Sequence, residues 1–312
     1  MGGLIVTVTP NPAYDVSYAT DGLDPGRVHR VATARRRAGG KGVNVAAVLA
    51  RLGEPVVASG LAGPGFAADV ERLGVRSAFV ESLPSVRSTV TVFDGERTTS
   101  FWEPGSAPVD TPAAERDLCD RVEGLLPGAG CVVVSGSLPP GVDPSLPATL
   151  ARRAHDRGVR SVLDVSGAAL RAAAEVPGVV LAPNAEELAD LCGPSGTTSE
   201  VVAAARTLVG RGVGAVFATR GAEGIVVAAP DGCWVVPGVR GVAGNPTGAG
   251  DAATAAIARG VTAGDAPARI AQDAVALAAT AVTAPVAGVV DVPRFQHHRV
   301  RTTAHALDED AP

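Results

Sequence analysis

Two short segments carry residues whose types and spacing fit the movement of a phosphoryl group. In Asn245-Pro246-Thr247-Gly248-Ala249-Gly250-Asp251, a loop of small residues opens the helical stretch Ala252-Ala253-Thr254-Ala255-Ala256-Ile257. The first amides of a helix have no partner within it, and the positive end of its dipole lies there. Backbone N–H groups at Gly248, Ala249 and Gly250 are therefore placed to face an anion. Asp251 would stand beside them, where an attacking hydroxyl must lose its proton. Phosphoryl transfer needs both functions at one place: stabilised charge on the moving group, and a base that positions the nucleophile. A plain helix cap would account for Asp251 but not for the flanking Gly-Ala-Gly.

The second segment is Ala38-Gly39-Gly40-Lys41-Gly42-Val43-Asn44-Val45-Ala46, again leading into an amphipathic helix. Its glycines allow a sharp turn and a close approach to a ligand. Asn44 can donate and accept, which suits sugar hydroxyls. Lys41 is the one lysine in a chain that otherwise uses arginine. A lone lysine at a glycine-rich loop fits a demand for a compact ammonium, although a turn with a chance lysine gives the same pattern. The segment is neither a G-x-x-x-x-G-K-[ST] loop nor a G-x-G-x-x-G fingerprint.

The elements that must hold these segments follow from the hydrophobic pattern. β-branched runs such as Leu4–Val8, Val56–Ala58, Cys131–Val134, Ser161–Leu163 and Val179–Leu181 alternate with Ala/Leu-rich helical stretches such as Val43 to Leu52. That alternation implies an α/β fold, a mostly parallel sheet with helices on both faces. Two regions break it. Residues 13–37 hold no convincing helix, and 86–102 reads as two strands joined at Asp94-Gly95, a hairpin signal. Both are assigned to a small β-sheet lid. Residues 1–12, 38–85 and 103–295 form the α/β core, and 296–312 is expected to be a frayed tail. The adjacent His297 and His298 have no carboxylate or cysteine partner nearby in sequence, so no metal site is read there.

Taken together, the two motifs resemble the PfkB family of carbohydrate kinases. Gly39-Gly40, Gly42, Asn44, Gly53 and Gly63 stand at the spacings of that family's first signature, and Gly248 to Asp251 is its second. The similarity runs from Val6 to about Pro293. Within the family, the chain looks most like the phosphosugar kinases of the 1-phosphofructokinase and tagatose-6-phosphate kinase group. Thr9-Pro10-Asn11-Pro12-Ala13-Tyr14-Asp15, Ser135-Gly136-Ser137-Leu138-Pro139-Pro140-Gly141, Leu163-Asp164-Val165-Ser166-Gly167-Ala168-Ala169-Leu170 and Pro183-Asn184-Ala185-Glu186-Glu187-Leu188 carry that likeness.

The resemblance implies a ribokinase-like fold and an ATP- and Mg²⁺-dependent kinase with Asp251 as base. It puts Asp15, Gly39, Gly40, Asn44 and Ser137 among the substrate contacts. Asn184 and Glu187 match an N-x-x-E motif that acts on Mg²⁺ largely through water. Thr219, Gly221 and Gly224 match a nucleotide loop. Arg27, Lys41 and Arg87 are expected near the acceptor's phosphate, since a dianion in a closing cleft needs cations. A dimer through the lids is a further expectation from relatives. The chain departs from the family pattern at Ala182, at Arg220, and at the short Gly63-Pro64-Gly65-Phe66 segment.

Composition narrows the alternatives. The net charge is −5, which gives no basic field for nucleic acid or an anionic membrane, and Arg35-Arg36-Arg37 is too short to supply one. No apolar run reaches the length of a transmembrane helix, and Met1 to Pro10 reads as a strand rather than a signal peptide. The four cysteines form no C-x-x-C pair and read as free thiols in a reducing, cytoplasmic setting. Two readings compete with a phosphosugar kinase: a kinase of a free sugar, nucleoside or cyclitol, and a non-catalytic sugar-responsive module.

Overall fold

The computed structural model describes residues 3–31, 33–95 and 97–307. Along the chain the elements are β1 (Leu4–Thr9), β2 (Ala13–Ala19), β3 (Thr33–Gly39), α1 (Lys41–Arg51), β4 (Val56–Ala62), α2 (Phe66–Glu71), β5 (Arg76–Glu81), β6 (Arg87–Phe93) and β7 (Thr98–Trp102). They continue with α3 (Thr111–Leu125), β8 (Ala129–Ser135), α4 (Leu146–Asp156), β9 (Arg160–Asp164), α5 (Gly167–Ala173), β10 (Val180–Leu181), α6 (Ala185–Cys192) and α7 (Thr198–Gly210). Then come β11 (Ala215–Thr219), β12 (Gly224–Ala229), β13 (Gly232–Pro237), α8 (Ala249–Ala263), α9 (Pro267–Val282), α10 (Val292–Arg299) and β14 (His305–Ala306).

The main sheet has the order β14-β13-β12-β11-β10-β9-β8-β1-β4-β5. From β11 to β5 the strands are parallel, and β12, β13 and β14 close one edge antiparallel. Successive side chains of a strand point to opposite faces, and the core follows that period. Ile5, Cys131 and Val133 pack on one face with α1, α8, α9 and α10 through Val48, Ile257, Leu277 and Phe295. Val6, Val8, Val132 and Val134 pack on the other with α3 to α7 through Leu118, Leu150, Leu170, Leu188 and Leu208. With few aromatics, close contact of alanine-rich helices replaces bulk; Ala252, Ala255, Ala271 and Ala274 are fully buried between α8 and α9. Among the described residues no helix is long and apolar enough to cross a membrane.

The second sheet has the order β3-β2-β6-β7. β2 lies at its centre, antiparallel to β3 and parallel to β6, so Asp15 stands opposite Arg37 on one side and Thr89 on the other. β3 continues to Gly39, two residues past position 37, because Gly39 still pairs with Ala13. The β6–β7 hairpin is closed by Asp94: its carboxylate accepts from Arg97 N at 2.6 Å and its amide donates to Arg97 O at 3.1 Å. Tyr14, on the face opposite Asp15, donates to Asp69 of α2 at 2.6 Å and meets Phe66 edge-on at 5.4 Å, while the Arg36 guanidinium lies 3.5 Å over its ring. These contacts fasten the lid sheet to the body.

The C-terminal segment departs from the frayed tail expected at 296–312. Residues 296–299 finish α10, Arg299 donates to the buried Asp273 at 2.8 Å, and β14 pairs with β13. A local reading misses this because the ordering partners, Asp273 and Trp234, lie far back in the chain. Residues 308–312 of that assignment lie outside the described residues.

Candidate active site

The residues singled out by type converge at the carboxyl ends of the parallel strands, where ligands of open α/β sheets bind. Four chain regions meet there: β2 of the lid, the end of β9, the start of α1 and the start of α8. Asn44, buried on α1, is the hub. Its Nδ2 donates to Asp15 Oδ2 at 3.1 Å and to Asp251 Oδ2 at 3.0 Å. Both amide hydrogens are thereby used to hold two carboxylates on one side of the cleft. The other oxygen of Asp15 accepts from Thr89 Oγ1 at 2.6 Å. Gly39 leaves the room this needs, since a Cβ there would overlap the Asp15 carboxylate, and Gly40, at φ 91, packs against Pro12 and Ala13.

Asp251 lies in the first turn of α8 and is buried. Burial pushes its carboxyl up to about 7, the carboxylates of Asp164 and Asp15 add to that, and Lys41 and the Asn44 hydrogen bond oppose it. A carboxyl poised there suits a base working near neutral pH. Gly248 caps α8 in the left-handed conformation, φ 86, which lets the loop turn into the helix so tightly. The expected trio of amides differs in one respect. The N–H of Ala249 folds back onto Pro246 O at 3.1 Å to close this turn. The N–H groups of Gly248, Gly250 and Asp251 have no backbone acceptor among the described residues, so they are the amides left to meet an anion.

Lys41 donates to Asp164 Oδ1 at 2.9 Å, and Ser135 Oγ donates to Asp164 Oδ2 at 2.7 Å. The proximity of Asp164 raises the lysine's pKa, with Asp251 and Glu187 adding to the effect. The ammonium thus stands among three carboxylates. Asn184 caps α6 and Glu187 completes the reciprocal box: Glu187 N donates to Asn184 Oδ1 at 2.8 Å and Asn184 N to Glu187 Oε2 at 2.9 Å. Burial raises the Glu187 pKa. Asn184 also bridges to Thr219 at the end of β11, next to the turn bounded by Gly221 and Gly224. Arg220 opens this turn, bonded to Thr198 Oγ1 at 2.7 Å and paired with Glu223 within it.

Arg87, at the start of β6, forms a separate group with Ser137 and Asn11. Its Nη1 donates to Glu103 O at 2.9 Å, Nε and Nη2 reach Asn11 O at 3.3 Å, and Nη2 lies 3.5 Å from Ser137 Oγ. Asn11 Nδ2 donates to Ser137 Oγ at 3.2 Å. Burial lowers the Arg87 pKa, with Asp15 and Glu103 opposing. Arg27 is not brought to either group; it is exposed on the loop between β2 and β3 with Asp24 at 3.8 Å.

Asp164 and Asn11 were not assigned roles from sequence, yet both shape the site. The available signal was position: each follows a β-branched run of the parallel sheet, at its carboxyl end. A cavity of about 540 Å³ lies between the lid and the loops at 243–245 and 282–285. It is lined by Arg35, Thr91, Asn245 and Arg294 among others, and none of Asp15, Lys41, Asn44 or Asp251 lines it.

Comparison with known proteins agrees with this geometry. The sequence pattern described as "pfkB family carbohydrate kinase" matches residues 8–293. The chain is 36% identical over 264 residues, 81% of its length and 82% of the relative's, to a 1-phosphofructokinase of Xanthomonas campestris pv. campestris. It superposes with TM-score 0.87 and 26% identity on the phosphofructokinase-2 of Escherichia coli in complex with fructose-6-phosphate, covering 96% of this chain and 99% of that one. A possible 1-phosphofructokinase of Thermotoga maritima shares the fold at TM-score 0.89 and 24% identity, covering 98% and 100%.

Proposed function

The chain belongs to the pfkB family of carbohydrate kinases, and from that premise we propose that it transfers the γ-phosphoryl group of ATP to a hydroxyl of a hexose phosphate. The observation that carries the reading is the Asp15–Asn44–Asp251 chain beside the free amides of Gly248, Gly250 and Asp251. Asp15 and Asn44 hold the acceptor, with its hydroxyl against Asp251. Asp251 takes the proton as the acceptor oxygen bonds to the γ-phosphorus. The bond from that phosphorus to the β-phosphate oxygen breaks, and ADP leaves with the electron pair. These amides and the helix dipole stabilise charge on the moving group.

Thr219, Gly221, Gly224 and Asn184 form the nucleotide side. Lys41, set between Asp164, Glu187 and Asp251, belongs with the phosphates in transit rather than with the acceptor's own phosphate. Mg²⁺ would enter with the nucleotide. Among the described residues no cluster of three or more His, Cys, Asp or Glu side chains could cage a metal, which fits an ion held chiefly by phosphates and water. Glu187 and Asp164 are the nearby carboxylates, and the ion would supply charge neutralisation between the phosphates.

The phosphorylated acceptor rests on Arg87, whose guanidinium and the Ser137 hydroxyl point to one place at the lid–body junction. The exposed Val28, Phe101 and Trp102 of the lid support a dimer through that sheet, and the free cysteines support a cytoplasmic setting. A panel of fructose 1-phosphate, fructose 6-phosphate, tagatose 6-phosphate, free hexoses and nucleosides tests the reading by ADP release. Arg87→Ala should raise KM for the preferred hexose phosphate by roughly 10- to 150-fold, as for a charged hydrogen bond of about 1.5–3 kcal/mol. Preference for an unphosphorylated acceptor, with Arg87→Ala indifferent, would move the assignment to a free-sugar or nucleoside kinase.

A further inference from the structure

Arg37 has no part in the roles above, yet it is the cation built most deeply into the lid. It stands opposite Asp15 on β3, but among the described residues its guanidinium has no carboxylate hydrogen-bond partner. Nε donates to Ala38 O at 3.2 Å and Nη1 donates to Ala287 O. Nη2 is buried without a partner among the described residues. A buried cation bound only to backbone carbonyls is costly unless charge nearby offsets it. Burial lowers its pKa, Asp15 and Asp251 raise it, and Arg51 of α1 lowers it further.

The turn that Arg37 grips lies directly behind the anion-binding amides. A Cβ built on Gly248 would come 2.7 Å from Ala287 Cβ and 3.6 Å from Gly288 N, so this turn packs on the cap of α8. Gly288, at φ 71, turns its open side to the guanidinium. A Cβ there would come 2.7 Å from Arg37 Nη2, 3.1 Å from Nη1 and 3.0 Å from Asn44 Oδ1. Contacts therefore run from Asp15 through β3 and Arg37 to Ala287, Gly248 and the turn that bears Asp251.

We infer that Arg37 is a positioning residue for the transfer step, a buried guanidinium that clamps the lid's strand β3 to the Ala287–Gly288 turn and so holds Asp15 and Asp251 in one register. This rests on the kinase reading above. It has an electrostatic corollary. Asp251 faces Asp15 from β2 and Asp164 from β9, with Lys41 from α1 as the opposing cation in the site. Arg37 and Asp251 attract one another, so without the guanidinium the base would titrate at higher pH.

The test compares Arg37→Met, Arg37→Lys, Gly288→Ala and the Arg37→Met/Gly288→Ala double variant with wild type, by steady-state kinetics across pH and by peptide-level hydrogen exchange. Arg37→Met should lower kcat by about tenfold or more, since small misplacements of reacting groups are that costly, with KM for ATP changed little. The acid limb of its kcat/KM profile should move to higher pH. Arg37→Lys should restore that limb but not the rate, because an ammonium cannot reproduce the fork on Ala38 and Ala287. Exchange in Arg37→Met should quicken in both 33–39 and 284–288. Gly288→Ala should lower kcat in the wild-type background and add little to Arg37→Met. An unchanged kcat and pH limb in folded Arg37→Met, exchange confined to 33–39, or strict additivity of the two substitutions would each overturn the clamp. A wild type inactive on every acceptor would instead sink the kinase reading, and the exchange measurement would still decide the clamp.

Discussion

Asp251→Asn exchanges a buried carboxylate for an amide of the same shape. The folded carboxyl keeps its proton up to about pH 7, whereas its ordinary value is 3.8. Between those limits the native state binds more protons than the unfolded chain, so this group's contribution to stability falls as pH rises and is least favourable above about pH 7. A displacement of that size disfavours the native anion by up to about 4 kcal/mol at pH 8. Asparagine carries no such penalty. The variant should melt higher than wild type at pH 8, by several degrees for a chain of this size, and the gain should close by about pH 4. Turnover should fall by roughly 10²–10⁴-fold, the range for loss of a general base. Thermal unfolding at pH 4.5 and pH 8, with ADP release at saturating acceptor, reads both effects. The kcat/KM of wild type should decline below about pH 7 as Asp251 takes up its proton. A variant that melts below wild type at pH 8, or one that turns over at near wild-type rate, would refute the reasoning.

Three further outcomes follow from the same geometry. Turnover should vanish in EDTA and return with Mg²⁺, and Glu187→Gln should need more Mg²⁺ for half-maximal rate; activity in metal-free buffer contradicts this. Tyr14→Phe removes the 2.6 Å bond to Asp69 that fastens the lid to α2, and should cost roughly 1 kcal/mol in chemical denaturation while raising the acceptor's KM. Phe101→Ser with Trp102→Ser should convert a lid-paired dimer to monomer in sedimentation velocity, and an unaltered sedimentation coefficient would dismiss the lid as the interface.

Read from sequence, the local pieces of the site were plain because short-range chemistry dictates them. A helix start of Gly-Ala-Gly-Asp must leave amides exposed beside a carboxylate. Asn184 and Glu187 stood out only through the family resemblance, and the structure adds that their spacing forms a capping box, each side chain reaching the other's amide. The alternating β-branched and alanine-rich runs of an α/β sheet could be read by period alone. What only the tertiary structure decided was partnership. Asn44 chooses between Asp15 and Asp251 by bonding both, across 29 and 207 residues of chain. The one lysine belongs to Asp164, 123 residues away, and Arg37 to a turn 250 residues away. Ala249 spends its amide on closing its own turn, and β14 finds order only against β13. Periodicity and capping act over a few residues, so they are written locally. The charge a buried carboxylate carries depends on every group that folding brings within a few ångströms of it, and no local pattern encodes that distance.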